Sequence, residues 1–169
     1  MEYLTLLREI TNSTEMIRTL LAGIPQEDAA VKPTPEAWSI LELTCHLRDE
    51  ERADFRARLD SILYRPNEPF AMINPQGWVI ERKYNEQNFE QMIESFFTER
   101  AQSLEWLRGL AGADWEITHT DEYGSVTAGE MFSCWVAHDN LHIRQLVELR
   151  RARIEKITQT YPIEYAGEW

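Results

Sequence analysis

Only two cysteines occur in the chain, Cys45 and Cys134. One disulfide between them is possible, but at 169 residues the chain can bury a core that needs none, so the expectation is reduced thiols in the core. No apolar run approaches the ~20 residues that span a bilayer. Nothing at the N-terminus resembles a signal peptide: Met1-Glu-Tyr-Leu4 is acidic and soon amphipathic. A soluble, cytoplasmic protein with no membrane partner is expected. Positive charge is scarce as well. Seventeen Lys and Arg against 29 Asp and Glu give a formal net charge of −12, and the basic residues are scattered among acids. That balance argues against nucleic acid and anionic membranes, whose binding depends on neutralising phosphate. Internal repeats, low-complexity segments, a sustained strand alternation and a Ser-His-Asp array are also missing from the sequence.

What is present is a strong apolar complement, with six Trp, six Tyr and six Phe, in a length that suits one domain over 1–169. Residues 2–22 carry Leu6, Leu7, Ile10, Thr14, Ile17 and Leu21 at helical spacing, and Gly23 can end that helix. The proline-rich stretch 24–35 predicts a loop with one short helical turn. Ser39-Ile-Leu-Glu42 is a capping box, and it predicts a helix running to about Tyr64, stopped by Arg65-Pro66. The stretch 65–85, with three prolines and Gly77, predicts a long connection. Connections of that length are often functional, and Phe70, Met72 and Trp78 suggest that this one packs down. Asn85 can cap a third helix to about Leu110, with Phe89, Met92, Ile93, Phe96, Leu104 and Leu107 as its core stripe. Residues 115–126 read as a loop or small turn. Thr127-Ala-Gly-Glu130 is a second capping box, opening a fourth helix to about Arg150. The tail from Ile154 reads as a short strand or an extended segment. Four long helices without strands predict an all-α four-helix bundle, whose three long connections do not force an up-down-up-down order.

The chemistry of interest lies in the histidines, of which there are four: His46, His119, His138 and His142. His138 and His142 stand four apart, one helical turn, on one face. At about 100° per residue they share that face with Met131, Trp135, Leu146 and Leu149. Two imidazoles turned into an apolar core cost desolvation unless their nitrogens are satisfied. His46 lies two turns into the second helix, with Ala53 and Ala57 on its face to leave room for a cavity and Asp49 and Glu50 beside it. One His from one helix and a His-x3-His pair from another make three nitrogen ligands with a position left open, the pattern of a catalytic metal site. Packed, hydrogen-bonded histidines without a metal are the competing reading. His119 sits in a loop, as a surface residue or one behind the ligands. Trp38, Trp106 and Trp135 read as core anchors.

At these residues the chain resembles the DinB-like superfamily, the DinB/YfiT-like metalloenzymes. The run from Pro33 through Trp38-Ser39 and Glu42 to His46-Leu47, Asp49 and Glu51 is similar to the family's first ligand segment. Phe96 to Arg100 resembles its third-helix motif. His119 through Gly124 and Thr127 to Glu130 resembles its entry to the last helix, with Thr120 where the family often has proline. His138-Asp139 with His142 and Gln145 resembles its His-Asp signature. The resemblance implies a four-helix bundle with non-standard connectivity, a dimer, and a divalent ion, zinc or nickel, held by His46, His138 and His142. It also implies chemistry of the kind known in relatives: transfer or isomerisation with low-molecular-weight thiols such as bacillithiol or mycothiol.

The function expected is therefore a metal-dependent enzyme, a thiol transferase or a hydrolase. In it Asp49 or Glu50 orients a ligand or accepts a proton, and Arg100 pairs with one of those carboxylates. The alternative is a non-catalytic metal- or ligand-binding stress-response module that acts as a dimer.

Overall fold

A computed structural model describes residues 2–167; positions 1, 168 and 169, at the ends of the expected domain and tail, lie outside the described residues. The elements are α1 (Tyr3–Leu21), a short α2 (Gln26–Ala29), α3 (Ile40–Glu50), a π-helical turn (Glu51–Phe55), α4 (Arg56–Tyr64), α5 (Pro75–Glu81), α6 (Phe89–Arg108), strands β1 (Thr118–Asp121) and β2 (Gly124–Thr127), and α7 (Ala128–Ile157). No helix among the described residues is long and apolar enough to cross a membrane.

Four rods build the bundle: α1, the continuous α3–π–α4 rod, α6 and α7. Both α1 and the rod pack on α6 and on α7, so α1 faces the rod across the bundle axis and α6 faces α7. Two of the three connections therefore cross the bundle, which is what long connections permit. The two capping boxes form as the sequence predicts. Glu42 N–H donates to Ser39 Oγ at 3.0 Å while Ser39 N–H donates to Glu42 Oε2 at 2.8 Å. Thr127 and Glu130 make the same exchange at 3.1 and 2.8 Å. Each box satisfies orphan amides of a first turn.

Several boundaries differ from the sequence reading, each for a local reason. The cap of α6 is Asn88, whose side chain accepts from Gln91 N–H. Asn85 instead bridges Ala30 and Ser39, tying the first connection to the second. The long connection 65–85 contains α5, begun by Asn74 and Pro75, and packs Trp78 and Tyr84 into the core. Residues 118–127 pair as an antiparallel hairpin in the register Thr118↔Thr127 and His119↔Val126, where a loop was expected. The fourth helix runs on through Ile154 to Ile157, in place of the strand or extended tail, because no glycine or proline interrupts it before Pro162.

The π-turn has a geometric consequence. Leu43, Leu47, Glu51, Phe55 and Leu59 are all buried at steps of four. In a straight α-helix that series would drift by about 160° around the axis. One wide turn takes up the drift and keeps all five inward.

The core is layered. One apolar cluster holds Ile17, Leu47, Phe96 and Leu146; the other holds Ile10, Phe55, Leu104 and Trp135. Between them each rod contributes polar residues: Thr14 and Ser13 from α1, Glu51 from the π-turn, Arg100 from α6 and Asp139 from α7. Arg100 donates through Nε to Glu51 (2.9 Å) and through Nη1 and Nη2 to Asp139 (2.6 and 2.8 Å), and Nη1 also donates to Thr14 Oγ1 at 3.2 Å. Nη2 lies 2.8 Å from Glu51 Oε2 as well, so the guanidinium is ion-paired to both carboxylates. Ser13 donates to Asp139 and Trp135 Nε1 to Glu51, which completes the layer. Arg100 pairs here with Glu51 and Asp139, and not with Asp49 or Glu50 as the sequence suggested.

Candidate metal centre

The three histidines lie next to this polar layer. His46 comes from α3, whose start is fixed by the Ser39 box. His138 and His142 come from α7, one turn apart. His46 Nε2 lies 3.1 Å from His142 Nε2, and His142 Nε2 lies 3.0 Å from His138 Nε2. All three rings offer a nitrogen within 4.8 Å of one another. Trp38 packs on His46 with ring centroids 4.8 Å apart, and Phe55 packs on His138 at the same distance.

The protonation states follow from burial. Desolvation, then the neighbouring imidazoles, push His46 and His138 down to about 3. Burial lowers His142 as well. The rings are therefore neutral near pH 7, the state in which imidazole binds a metal. His142 Nδ1 lies 2.9 Å from Gln145 Oε1, which can only accept, so Nδ1 carries the proton and Nε2 presents a lone pair to the other two rings. A neutral His46 or His138 whose proton sits on Nε2 can donate to that lone pair. With the proton on Nδ1 in every ring, three Nε2 lone pairs meet instead, and a divalent cation would satisfy all three. Nitrogens ~2.0–2.1 Å from one ion at tetrahedral angles stand about 3.4 Å apart; two of the separations here are 3.0 and 3.1 Å, and the third lies within 4.8 Å. The donor set fits a divalent ion.

Behind the rings, His46 Nδ1 and Glu50 Oε1 are buried, have no hydrogen-bond partner and stand 3.8 Å apart. Burial, then Asp54, raises the Glu50 carboxyl to about 8. Burial also raises Asp49, but hydrogen bonds from Arg48, Tyr84 and Arg82 (2.9, 2.7 and 2.5 Å) outweigh it and hold that carboxyl below its usual range. Neither acid lines the cleft above the histidines.

That cleft, of about 670 Å³, is bordered by Trp38 and Gln76, and along α7 by Leu141, Gln145, Glu148 and Leu149. Ala53 and Ala57, expected to make room, do not border it: the π-turn rotates the rod between His46 and Ala57, which is exposed. Trp38, read as a core anchor, is half-buried at the cleft, while Trp135 does lie in the core. Gln76 carried no signal in the sequence; Gln145 was marked by its place in the His-Asp signature, three residues after His142. His119 is buried away from the cluster, in β1, with Nδ1 2.9 Å from Pro66 O and its ring stacked on Phe70. Cys45 is buried, and burial pushes its thiol up to about 12. Cys134 is exposed, not in the core, and the two are not bonded.

A four-rod bundle with two crossing connections and a three-imidazole cluster at its cleft defines a class of metal-binding helical bundle. The DinB superfamily pattern matches residues 9–146, and the chain belongs to that family. Among solved structures it is similar to YfiT from Bacillus subtilis, described as a probable metal-dependent hydrolase with an unusual four-helix bundle topology. The TM-score is 0.77 at 13% identity, over 89% of this chain and 86% of that one. At that identity the likeness establishes the fold. No curated protein matches the chain.

Proposed function

We propose that this protein is a metal-dependent enzyme that joins a low-molecular-weight thiol to an electrophilic small molecule in the cleft beside Trp38. One observation carries the reading: three neutral imidazoles turn their Nε2 atoms onto one point at the floor of a cleft large enough for small molecules. When bound, a divalent ion such as zinc or nickel supplies a Lewis acid that lowers the pKa of a thiol or water beside it.

The chain's own residues do the rest. His46, His138 and His142 hold the ion, and Gln145 fixes the His142 tautomer. Glu50 Oε1 faces His46 Nδ1 across 3.8 Å, from which a small approach would let it accept that ring's N–H once the metal is bound. Asp49 stays ionised and clamps Arg82 and Tyr84, so the connection that carries Gln76 is held on α3. Trp38 and Leu141 shield the reacting groups from water. The reading includes a homodimer and a cytoplasmic setting, as in the family it resembles; sedimentation at micromolar concentration tests the dimer.

Hydrolysis, with water in place of the thiol, is a second reading, favoured by the description of the Bacillus subtilis relative. Zinc-loaded protein assayed with N-acetylcysteine and chlorodinitrobenzene, and separately with p-nitrophenyl acetate alone, separates the two. Thiol-dependent turnover that His138→Ala abolishes supports transfer. Thiol-independent ester cleavage that His138→Ala abolishes supports hydrolysis. Zinc-loaded protein silent in both arms contradicts the enzyme reading and favours a binding module.

A further inference from the structure

Pro33, Leu149 and Ala152 border both the cleft over the histidines and a second hollow of about 440 Å³, which lies beside it between the segment after α2 and the last turns of α7. Charge changes sign between the two. The metal-end cleft is bordered by two carboxylates, Glu36 and Glu148, and by no Lys or Arg. The second hollow holds Lys32, Arg153 and Lys156 against Asp28 and Glu155. Both of those acids already have partners: Asp28 accepts from Arg153 Nε at 2.6 Å, and Glu155 pairs with Arg151 at 2.9 Å. Lys32 lies 3.4 Å from Glu42. Lys156 makes no ion pair among the described residues. In a chain of net charge −12, a concave surface with surplus positive charge runs against the average.

The spacing along α7 gives the reach. At ~1.5 Å of rise per residue, Leu149 lies about 10 Å, Arg153 about 16 Å and Lys156 about 21 Å from His142 along the helix axis. A molecule reaching from the histidines to the basic hollow therefore spans 15–20 Å in round terms, at about five extended residues' length.

We propose that the second hollow is a subsite for a carboxylate on the far end of an elongated substrate whose reacting end sits over the histidines. Lys156 supplies the unpaired charge, with Arg153 and Lys32 beside it. Glu36 repels the same carboxylate from the metal end, where Glu148 is partly offset by Arg144 3.4 Å away, so the two ends of the substrate are told apart by sign. The proposal rests on the metal-centre reading for the reacting end only.

The test uses zinc-loaded full-length protein and calorimetry with three acetylated Cys-Gly-Gly-Gly-Gly peptides, ending in a free carboxylate, a carboxamide or an aminoethylamide. The thiol anchors each probe at the metal, and the chain is long enough for its end to reach Lys156. The carboxylate peptide should bind about fivefold tighter than the carboxamide, the upper range for an exposed ion pair. The preference should narrow as salt is added and should vanish in Lys156→Glu. Equal affinities, tighter binding of the amine, or a preference that survives Lys156→Glu would each overturn the subsite and leave the metal centre standing. Failure of all three thiols to bind protein that carries zinc would overturn the open metal site, and the subsite with it.

Discussion

Replacing Arg100 by methionine removes the one cation of the mid-bundle layer while keeping a side chain of similar length. Arg100 is 1% exposed and donates to Glu51, Asp139 and Thr14. Without it, two carboxylates, each 1% exposed, lose their main partner. Breaking a buried ionic group by removing one partner costs about 3–5 kcal/mol, a large share of the roughly 5–15 kcal/mol that holds a domain folded. Urea unfolding of metal-free protein at pH 7, followed by circular dichroism, reads the loss as a lowered midpoint at unchanged slope. Adding Asp139→Asn to Arg100→Met should restore part of the loss, because one buried charge is gone. A loss below about 1 kcal/mol would refute the view that this layer is an ionic clamp between α6, α7 and the π-turn.

Three further outcomes follow from the same geometry. Gln145→Leu removes the acceptor that fixes the His142 tautomer and should weaken zinc binding about 10–100-fold with little effect on metal-free stability, measured by competition with a chelating dye. His46 and His138 are held at about 3 in the folded chain against an ordinary value near 6.5, so the unfolded chain takes up protons first as pH falls. Metal-free stability should accordingly drop below pH 6.5 by up to ~1.4 kcal/mol per pH unit for each of these rings, and the slope should flatten in a His46→Ala, His138→Ala double variant. His119→Ala leaves Pro66 O without its donor and unstacks Phe70, at a cost of about 1–3 kcal/mol in urea unfolding, yet it should leave metal stoichiometry intact because His119 is outside the cluster.

The features legible in the sequence were those with a fixed local spacing. Ser39-x-x-Glu42 and Thr127-x-x-Glu130 marked two helix starts, and the His138–His142 interval with His46 marked the cluster, because capping and facing side chains depend on a few neighbouring residues. Features set by tertiary packing were hidden. The π-turn at Glu51–Phe55 has no marker in composition; it exists because five residues at steps of four must all face the core. That same turn decides that Glu51, and not Glu50, reaches Arg100, and it moves Ala57 away from the cleft. The hairpin at 118–127 has strands of four residues, too short for an alternation to show. Trp38 looked like any core tryptophan until the 33–38 segment folded over His46. Asn85 and Asn88 are equally good caps by type, and only the bridge from Asn85 to Ala30 and Ser39 separates them.

Whether the three imidazoles hold a metal is the central question for this protein. Elemental analysis of tag-free protein, as purified and after reconstitution with zinc and with nickel, measures it directly beside the His46→Ala variant. About one divalent ion per chain, lost in His46→Ala while the helical signal persists, is the result predicted from the convergence of His46, His138 and His142. No bound metal under any of these conditions, or full stoichiometry retained by His46→Ala, would contradict it.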